Sequence, residues 1–377
     1  MKKLQTGKIA TGESFLGREQ ILKEVETYLE MNQSVVLIAP RRYGKSSIIN
    51  KIVEKDTHGY KVISVDIMGI HTKRLLAEHI INEVYNAIGI YGIIEKVKHT
   101  SIEFFKSLTN HLLSLKLTID DISIETTGRL LSERDEDKLL SYALELPNTI
   151  AQKLTTKFLF IIDEFGEIDK LQSKNELIDT MRTIFQKQEH VTFLFAGSQY
   201  ALMSKIFTDK LSAFHKFTVA IEVPKMEASD FKKTFKEVFY AREISIPTDF
   251  AQEVQILSSG IPYYMVRLAQ QVLVDAVLNN SVNTYCFSMR RAAVKLYNKE
   301  QSYFASELSK FRGKKHDMIA LIALSKDKNH TSVLAEHNVS RQNANSIMKS
   351  LLLTGIIEKK DGYKIIDPFM KRYIKKL

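Results

Sequence analysis

A single cysteine, Cys286, stands in 377 residues, so the chain has no internal disulfide framework and no four-cysteine zinc site. That scarcity fits a reducing compartment. The longest apolar clusters, such as Phe158 to Ile162, fall far short of the roughly 20 residues a membrane helix needs. The stretch Met1 to Ser14 opens with Lys2 and Lys3 but has no apolar run behind them, so it does not read as a secretory signal. A cytoplasmic protein with no membrane partner is expected. No repeat and no low-complexity tract is visible, and composition together with the lack of a His/Asp cluster excludes a secreted or metal-dependent hydrolase. Glycine and proline are sparse, with 15 and 6 residues, so domain boundaries have to be found in the hydrophobic pattern.

What is there is a chain that is 44% apolar and 26% charged, the balance of a globular protein with a sizeable core. Its length implies two or three units. The net charge of +10 is unevenly spread: Arg312 to Leu377 carries 14 Lys/Arg against 6 Asp/Glu, and the rest is nearly neutral. A basic tail on a neutral body points to a separate module for a polyanion, the alternative being a solvated lysine-rich surface.

Ser34 to Ile38 is a short apolar run, followed by a loop and by helical spacing from Ser46 to Val53. Tyr60 to Ile67, Phe158 to Ile162 and Val191 to Ala196 read as further strands. Ala77 to Ile88, Ile102 to Leu115 and Asn175 to Gln188 read as helices, as does Glu133 to Leu154 with a break near Pro147. Strands apolar throughout and alternating with helices predict a parallel sheet covered on both faces. After Pro224 the pattern is helical to Leu278, interrupted at Ser259-Gly260-Ile261-Pro262, and a charged helix from Ser288 to Lys310 follows. The expected division is 1–223, 224–310 and 311–377.

The loop after the first strand is Ala39-Pro40-Arg41-Arg42-Tyr43-Gly44-Lys45-Ser46, with Ser47 next, and it fits G-x-x-x-x-G-K-[ST] except for Ala39 at its first position. Such a loop points successive backbone N–H groups at phosphates while the following helix presents its positive end. Lys45 would reach the β- and γ-phosphates, and the Ser46 hydroxyl would join a Mg²⁺ shell. Asp163-Glu164 ends the Phe158 to Ile162 strand, where open α/β sheets place their chemistry. Asp163 is the expected metal ligand, and Glu164 the group that orients and deprotonates water. Taken alone, the same pair also suits a helix N-terminus. Ser198, then Gln199, are the candidates for sensing the γ-phosphate at the end of the next strand. Arg182 and Lys216 are the candidate cations for the transferring phosphoryl group, the catalytic set being Lys45, Glu164, Ser198, Arg182 and Lys216.

In the tail, Asp317 to Leu324 and Thr331 to His337 read as two short helices, and Ser340 as the cap of a third that stops before Gly355. Ala344, Ile347, Met348, Leu351 and Leu352 share one face of that third helix; Arg341, Gln342, Asn345 and Lys349 lie on the other. Two short strands around a Lys-Lys-Asp-Gly turn complete a winged helix-turn-helix. Arg, Gln and Asn are side chains that read base edges, and Lys359, Lys360 and Lys364 suit phosphate contact. Duplex DNA is the expected partner; a protein docked through the same module is the alternative.

Seven short segments, standing in order from residue 15 to near the C-terminus, resemble those of the archaeal-type ATPases within the STAND and origin-recognition branches of AAA+ proteins. Phe15-Leu16-Gly17-Arg18-Glu19 resembles their F-x-G-R-E box, which implies an adenine pocket including Phe15, Gly17 and Arg18. The loop from Ala39 to Ser47 is similar to their P-R-R-x-G-K-[ST]-S, Phe160 to Phe165 to their D-E-F strand, and Phe195 to Ser198 to their G-S sensor strand. Ala213 to Phe217 resembles A-F-Y-[RK]-F, with His215 for tyrosine and Lys216 where arginine is common. Gly260-Ile261-Pro262 resembles the lid motif whose proline, here Pro262, approaches the base, and Asp367-Pro368-Phe369 the end of the C-terminal winged helix. The stretch from Lys96 to Ser141 matches nothing in the family. The resemblance implies an α/β P-loop NTPase core, an all-helical lid and a C-terminal winged helix-turn-helix. It further implies ATP with Mg²⁺ as ligands, slow ATP hydrolysis and nucleotide-dependent self-association. Three functions stay open: a DNA-associated ATPase, a signalling switch whose tail docks protein, and a nucleotide-binding module with little turnover.

Overall fold

The structure is a computed structural model that describes residues 4–12, 15–55, 59–90, 135–171, 173–283 and 286–377. Helix α1 (Glu19–Glu30) precedes β1 (Val35–Ile38), α2 (Lys45–Glu54), β2 (Tyr60–Asp66), α3 (Lys73–Ala87), α4 (Glu136–Leu154) and β3 (Lys157–Asp163). A 3₁₀ turn (Phe165–Lys170), α5 (Lys174–Phe185), β4 (Val191–Gly197), α6 (Tyr200–Thr208) and β5 (Val219–Glu222) follow. The strands form one parallel sheet in the order β2-β3-β4-β1-β5. The P-loop strand β1 is therefore internal, flanked by β4 and β5. Successive side chains of a strand point to opposite faces. Val35 and Leu37 belong to the apolar layer that includes Val25 of α1 and Ile48 of α2, whereas Val36 and Ile38 belong to the layer that includes Leu76 of α3 and Leu140 of α4. Two apolar layers thus cover the sheet, which is why β1 and β4 are buried at every position.

Beyond β5 the chain is helical: α7 (Ala228–Tyr240), α8 (Phe250–Ser258), α9 (Pro262–Leu278) and α10 (Cys286–Ser309). The C-terminal part comprises α11 (Lys315–Ser325), α12 (His330–Glu336), α13 (Arg341–Leu353), the antiparallel pair β6 (Ile357–Lys360) and β7 (Gly362–Ile365), and α14 (Pro368–Lys375). Packing does not stop between these parts. The apolar layer under α1 and α2 runs on through Phe231, Tyr264, Leu268 and Phe304 to Leu351 and Ile374. Among the described residues no helix is long and apolar enough to cross a membrane, and no group of three metal-ligating side chains occurs.

Several expectations need correction. Helix α4 is unbroken and carries Pro147 inside it, with Leu140, Ala143, Leu144 and Ile150 buried around that position. Tertiary burial of that face outweighs the one backbone hydrogen bond a proline forfeits. Strand β2 is not apolar throughout: Lys61, Ser64 and Asp66 are exposed, because β2 is the sheet's edge. The helical stretch after Pro224 breaks a second time between α7 and α8. In the hairpin, Lys359 and Lys360 belong to β6 rather than to a turn, and Lys360 pairs with Gly362. The helix expected over 102–115 lies outside the described residues.

Candidate nucleotide site and C-terminal basic surface

Strand β1 delivers the loop at Ala39, which is buried, so its methyl group occupies core space rather than the loop's mouth. Arg42 and Gly44 both take left-handed backbone, with φ of 72° and 87°, and so curl the chain into the start of α2. Lys45 is 6% exposed, and its ammonium donates to the carbonyls of Ala39 (2.8 Å) and Pro40 (3.2 Å). Burial pulls its pKa down to about 8, against the opposing pull of Glu164 and Asp163. A cation held only by neutral carbonyls with two carboxylates nearby is poised to exchange those carbonyls for an anion. The Ser46 hydroxyl donates to Asp163 Oδ2 at 3.1 Å, and Asp163 Oδ1 accepts the Glu164 N–H at 2.8 Å. Burial raises the Asp163 pKa, with the Ser46 and Glu164 hydrogen bonds opposing. A hydroxyl and a carboxylate sharing one point at the start of α2 fit a hard divalent cation such as Mg²⁺, which takes oxygen donors.

Glu164 sits in left-handed backbone, φ 49°, and its Oε2 accepts from both the N–H (3.0 Å) and the hydroxyl (2.7 Å) of Ser198. Ser198 is buried at the end of β4, held there by the phenylalanines around Phe195, whose ring lies 5.0 Å from those of Phe165 and Phe207. The structure therefore brings Lys45, Ser46, Asp163, Glu164 and Ser198 together. It turns Gln199 elsewhere, with its amide donating to Glu167 at 3.0 Å. Arg182 is not brought to this group. Its guanidinium donates to the Ala213 carbonyl (3.0 Å) and to Gln186 (2.9 Å) and lies over the Phe217 ring, so it fastens α5 to the segment before β5. Lys216 is exposed in left-handed backbone in that same segment, where it bonds neither to the loop nor to the carboxylates.

On the other side of the loop lies a cavity of about 200 Å³. Phe15, Leu16, Arg18, Tyr43, Gly44 and Ser47 line it from the core, and Phe231, Pro262 and Val266 from the lid. Arg18 donates to the Tyr43 carbonyl at 3.3 Å, and burial lowers its pKa to about 10. Gly17 does not line this cavity. A Cβ there would stand 2.5 Å from Met226 Cε, so Gly17 serves the close approach of α1's start to the lid. A strap missed in the sequence, Gln5 to Lys8, closes the cavity's outer side. It is tied down by Gln270, which donates to the Leu4 carbonyl at 2.8 Å, and by Ala10 N–H donating to Ser47 Oγ at 3.1 Å. Its polar residues carry no periodicity, so no sequence signal marked it.

Pro40 and Arg41 line a second cavity, of about 270 Å³, between the loop, Ser198 and the C-terminal part. Arg41 is half-exposed, 3.9 Å from Glu307. The Arg42 side chain turns away from both Lys45 and Ser46 toward the lid, where it pairs with Glu300.

In the C-terminal part Ser340 caps α13 by accepting the Asn343 N–H at 3.2 Å. Arg341, Gln342, Asn345 and Lys349 are exposed, while Ala344, Met348 and Leu351 are buried. Lys364 is exposed on β7, and Lys359 lies over the Tyr363 ring. The Lys360 side chain lies outside what the structure describes. Helix α13 packs on α6, and Gly355 just beyond it approaches the Ser198 carbonyl.

No protein-family model matches the chain, and no curated protein matches it in sequence. Solved structures do match. A Walker-type ATPase of Pyrococcus abyssi is 18% identical, with a TM-score of 0.69 over 99% of this chain and 99% of that one. The ORC2 protein of Aeropyrum pernix in its ADPNP–ADP complexes gives 0.56 at 10% identity, covering 99% of this chain and 97% of that one. The ORC1 protein of the same organism in complex with DNA gives 0.50 at 12% identity, covering 99% and 95%. At these identities the likeness is one of fold. The chain shares the α/β P-loop NTPase fold of these archaeal proteins.

Proposed function

We propose that this chain binds ATP at the Ala39–Ser47 loop, hydrolyses it slowly, and links its nucleotide state to a C-terminal winged helix-turn-helix that binds duplex DNA. The observation that carries the reading is the single cluster of Lys45, Ser46, Asp163, Glu164 and Ser198 at the ends of β1, β3 and β4. Lys45 exchanges its carbonyl partners for phosphate oxygens. The adenine enters the cavity beside Phe15, Arg18 and Pro262, whose walls are largely apolar and of a size for a flat base. Ser46 and Asp163 would hold Mg²⁺, which when bound would neutralise charge on the phosphate oxygens. Glu164 takes the proton of the attacking water on Oε1, which has no partner among the described residues, while Ser198 holds Oε2 and fixes the carboxylate's orientation. Arg182 and Lys216 have no role in this scheme.

The DNA half of the proposal rests on charge and exposure. The C-terminal 66 residues hold 14 of the chain's 54 Lys/Arg, and the exposed face of α13 presents Arg341, Gln342, Asn345 and Lys349. Its test is ATPase activity with and without duplex DNA at two salt concentrations, alongside a gel-shift titration. Arg341→Ala with Lys349→Ala should weaken binding, and affinity should fall steeply with salt. An unchanged titration in that variant, with turnover indifferent to DNA, would favour the protein-docking switch instead. That second reading draws on the packing of α13 against α6, which already commits part of the module to a protein surface.

A further inference from the structure

Arg42 lies in the phosphate loop, yet its side chain is the meeting point of three parts of the chain. Its Nη2 donates to Glu300 of α10 at 2.8 Å, and its Nη1 to Tyr264 Oη of α9 and to Asp367 Oδ2 at the start of α14, the last at 3.3 Å. The guanidinium lies over the rings of Tyr303 (4.2 Å), Tyr263 (4.5 Å) and Tyr264 (5.0 Å). The partners are themselves bonded: Tyr264 donates to Asp367 at 2.5 Å and Tyr263 to Glu300 at 2.8 Å. The Tyr263 N–H also donates to the Arg42 carbonyl at 3.4 Å. One cation thus faces two carboxylates that have little access to water. Withdrawing it leaves both uncompensated, an expensive state unless the parts separate and water enters.

Arg42 also borders both cavities, the one proposed for the base and the one between the loop and the C-terminal part. We propose that Arg42 is not a phosphate ligand but a latch that fastens lid and C-terminal module to the loop, so that nucleotide can leave only when the latch opens. This rests on the ATP reading of the loop. Burial alone would lower the Arg42 pKa, but Tyr264, Glu300, Tyr303 and Asp367 outweigh it, so the guanidinium keeps its charge in the cage.

Asp367 offers a clean way in, because its two oxygens do different work. Oδ1 caps α14 by accepting the N–H groups of Phe369 (2.9 Å) and Met370 (3.0 Å), and Oδ2 closes the latch. Asp367→Asn keeps a good helix cap and removes the charge. Tyr264→Phe keeps the ring over Arg42 and removes the bridging hydroxyl. The experiment measures the release rate of a fluorescent ADP analogue, and amide hydrogen exchange with no nucleotide present, in wild type and both variants. Asp367→Asn should speed release about tenfold, the usual scale of a lost charge-assisted hydrogen bond. It should raise exchange in β7 and α14 while leaving α7 and α8 at wild-type rates. Tyr264→Phe should act in the same direction and less. Unchanged release, or a rise in exchange spread evenly over α7 and α8, overturns the latch. A wild-type chain that binds no analogue would instead sink the ATP reading, and unchanged exchange in β7 and α14 would then overturn the latch by itself.

Discussion

Lys45 carries its charge into a site where water barely reaches, and its depressed pKa, about 8, is the consequence. Phosphates arriving at the loop favour the ammonium, so binding raises that pKa again. Affinity for ATP should hold below pH 8 and decline as pH rises through it, with proton uptake on binding. Calorimetry above pH 8 in two buffers of different ionisation enthalpy reads that uptake directly. Equal heats in the two buffers would mean that Lys45 does not meet the phosphates. At this scale the sequence was most legible where chemistry is local. Lys45 and Ser46 are neighbours in the chain, and Asp163-Glu164 follows its strand without a gap. Ser198 was readable because β4 neighbours both β1 and β3. Arg182 was not, since only the packed segment before β5 reveals that the Ala213 carbonyl and the Phe217 ring claim its guanidinium. The partners of Arg42 were hidden for a similar reason: its loop position is local information, whereas Tyr264 and Asp367 lie 222 and 325 residues away.

At the scale of elements, the turn between α8 and α9 sets how the lid meets the core. Gly260 has φ of 70°, and a Cβ there would stand 2.8 Å from the Met226 carbonyl, which is backbone and cannot step aside. The same two residues share a hydrogen bond from Met226 N–H to the Gly260 carbonyl at 2.8 Å. Gly260→Ala should therefore destabilise the protein by about 1–3 kcal/mol, the range of a strained left-handed residue plus a displaced backbone. Urea unfolding measures it; a midpoint at the wild-type value would show that the turn has room. Sequence pattern found this break because glycine and proline sit together there. It missed β5 and α6, which are too short to show a period, and α14, although Asp367-Pro368 is a cap followed by a proline at the first helical position. It also expected a break at Pro147, where α4 keeps going because its buried face outweighs one lost hydrogen bond.

On the scale of the whole molecule, one apolar layer passes from the sheet through the lid into the C-terminal module, and Arg42 sits above that passage. Net positive charge is distributed differently, concentrated in the last 66 residues. The candidate nucleotide site lies in a nearly neutral body joined by continuous packing to the basic C-terminal part, the path along which the proposed coupling would run. The proposed coupling requires that the loop hold ATP. The direct measurement is ATP retention and turnover in wild type, Lys45→Ala and Glu164→Gln under identical conditions. Wild type should bind and slowly hydrolyse, Lys45→Ala should lose retention, and Glu164→Gln should bind without turning over. Near-wild-type ATP affinity in Lys45→Ala would contradict the account at its centre.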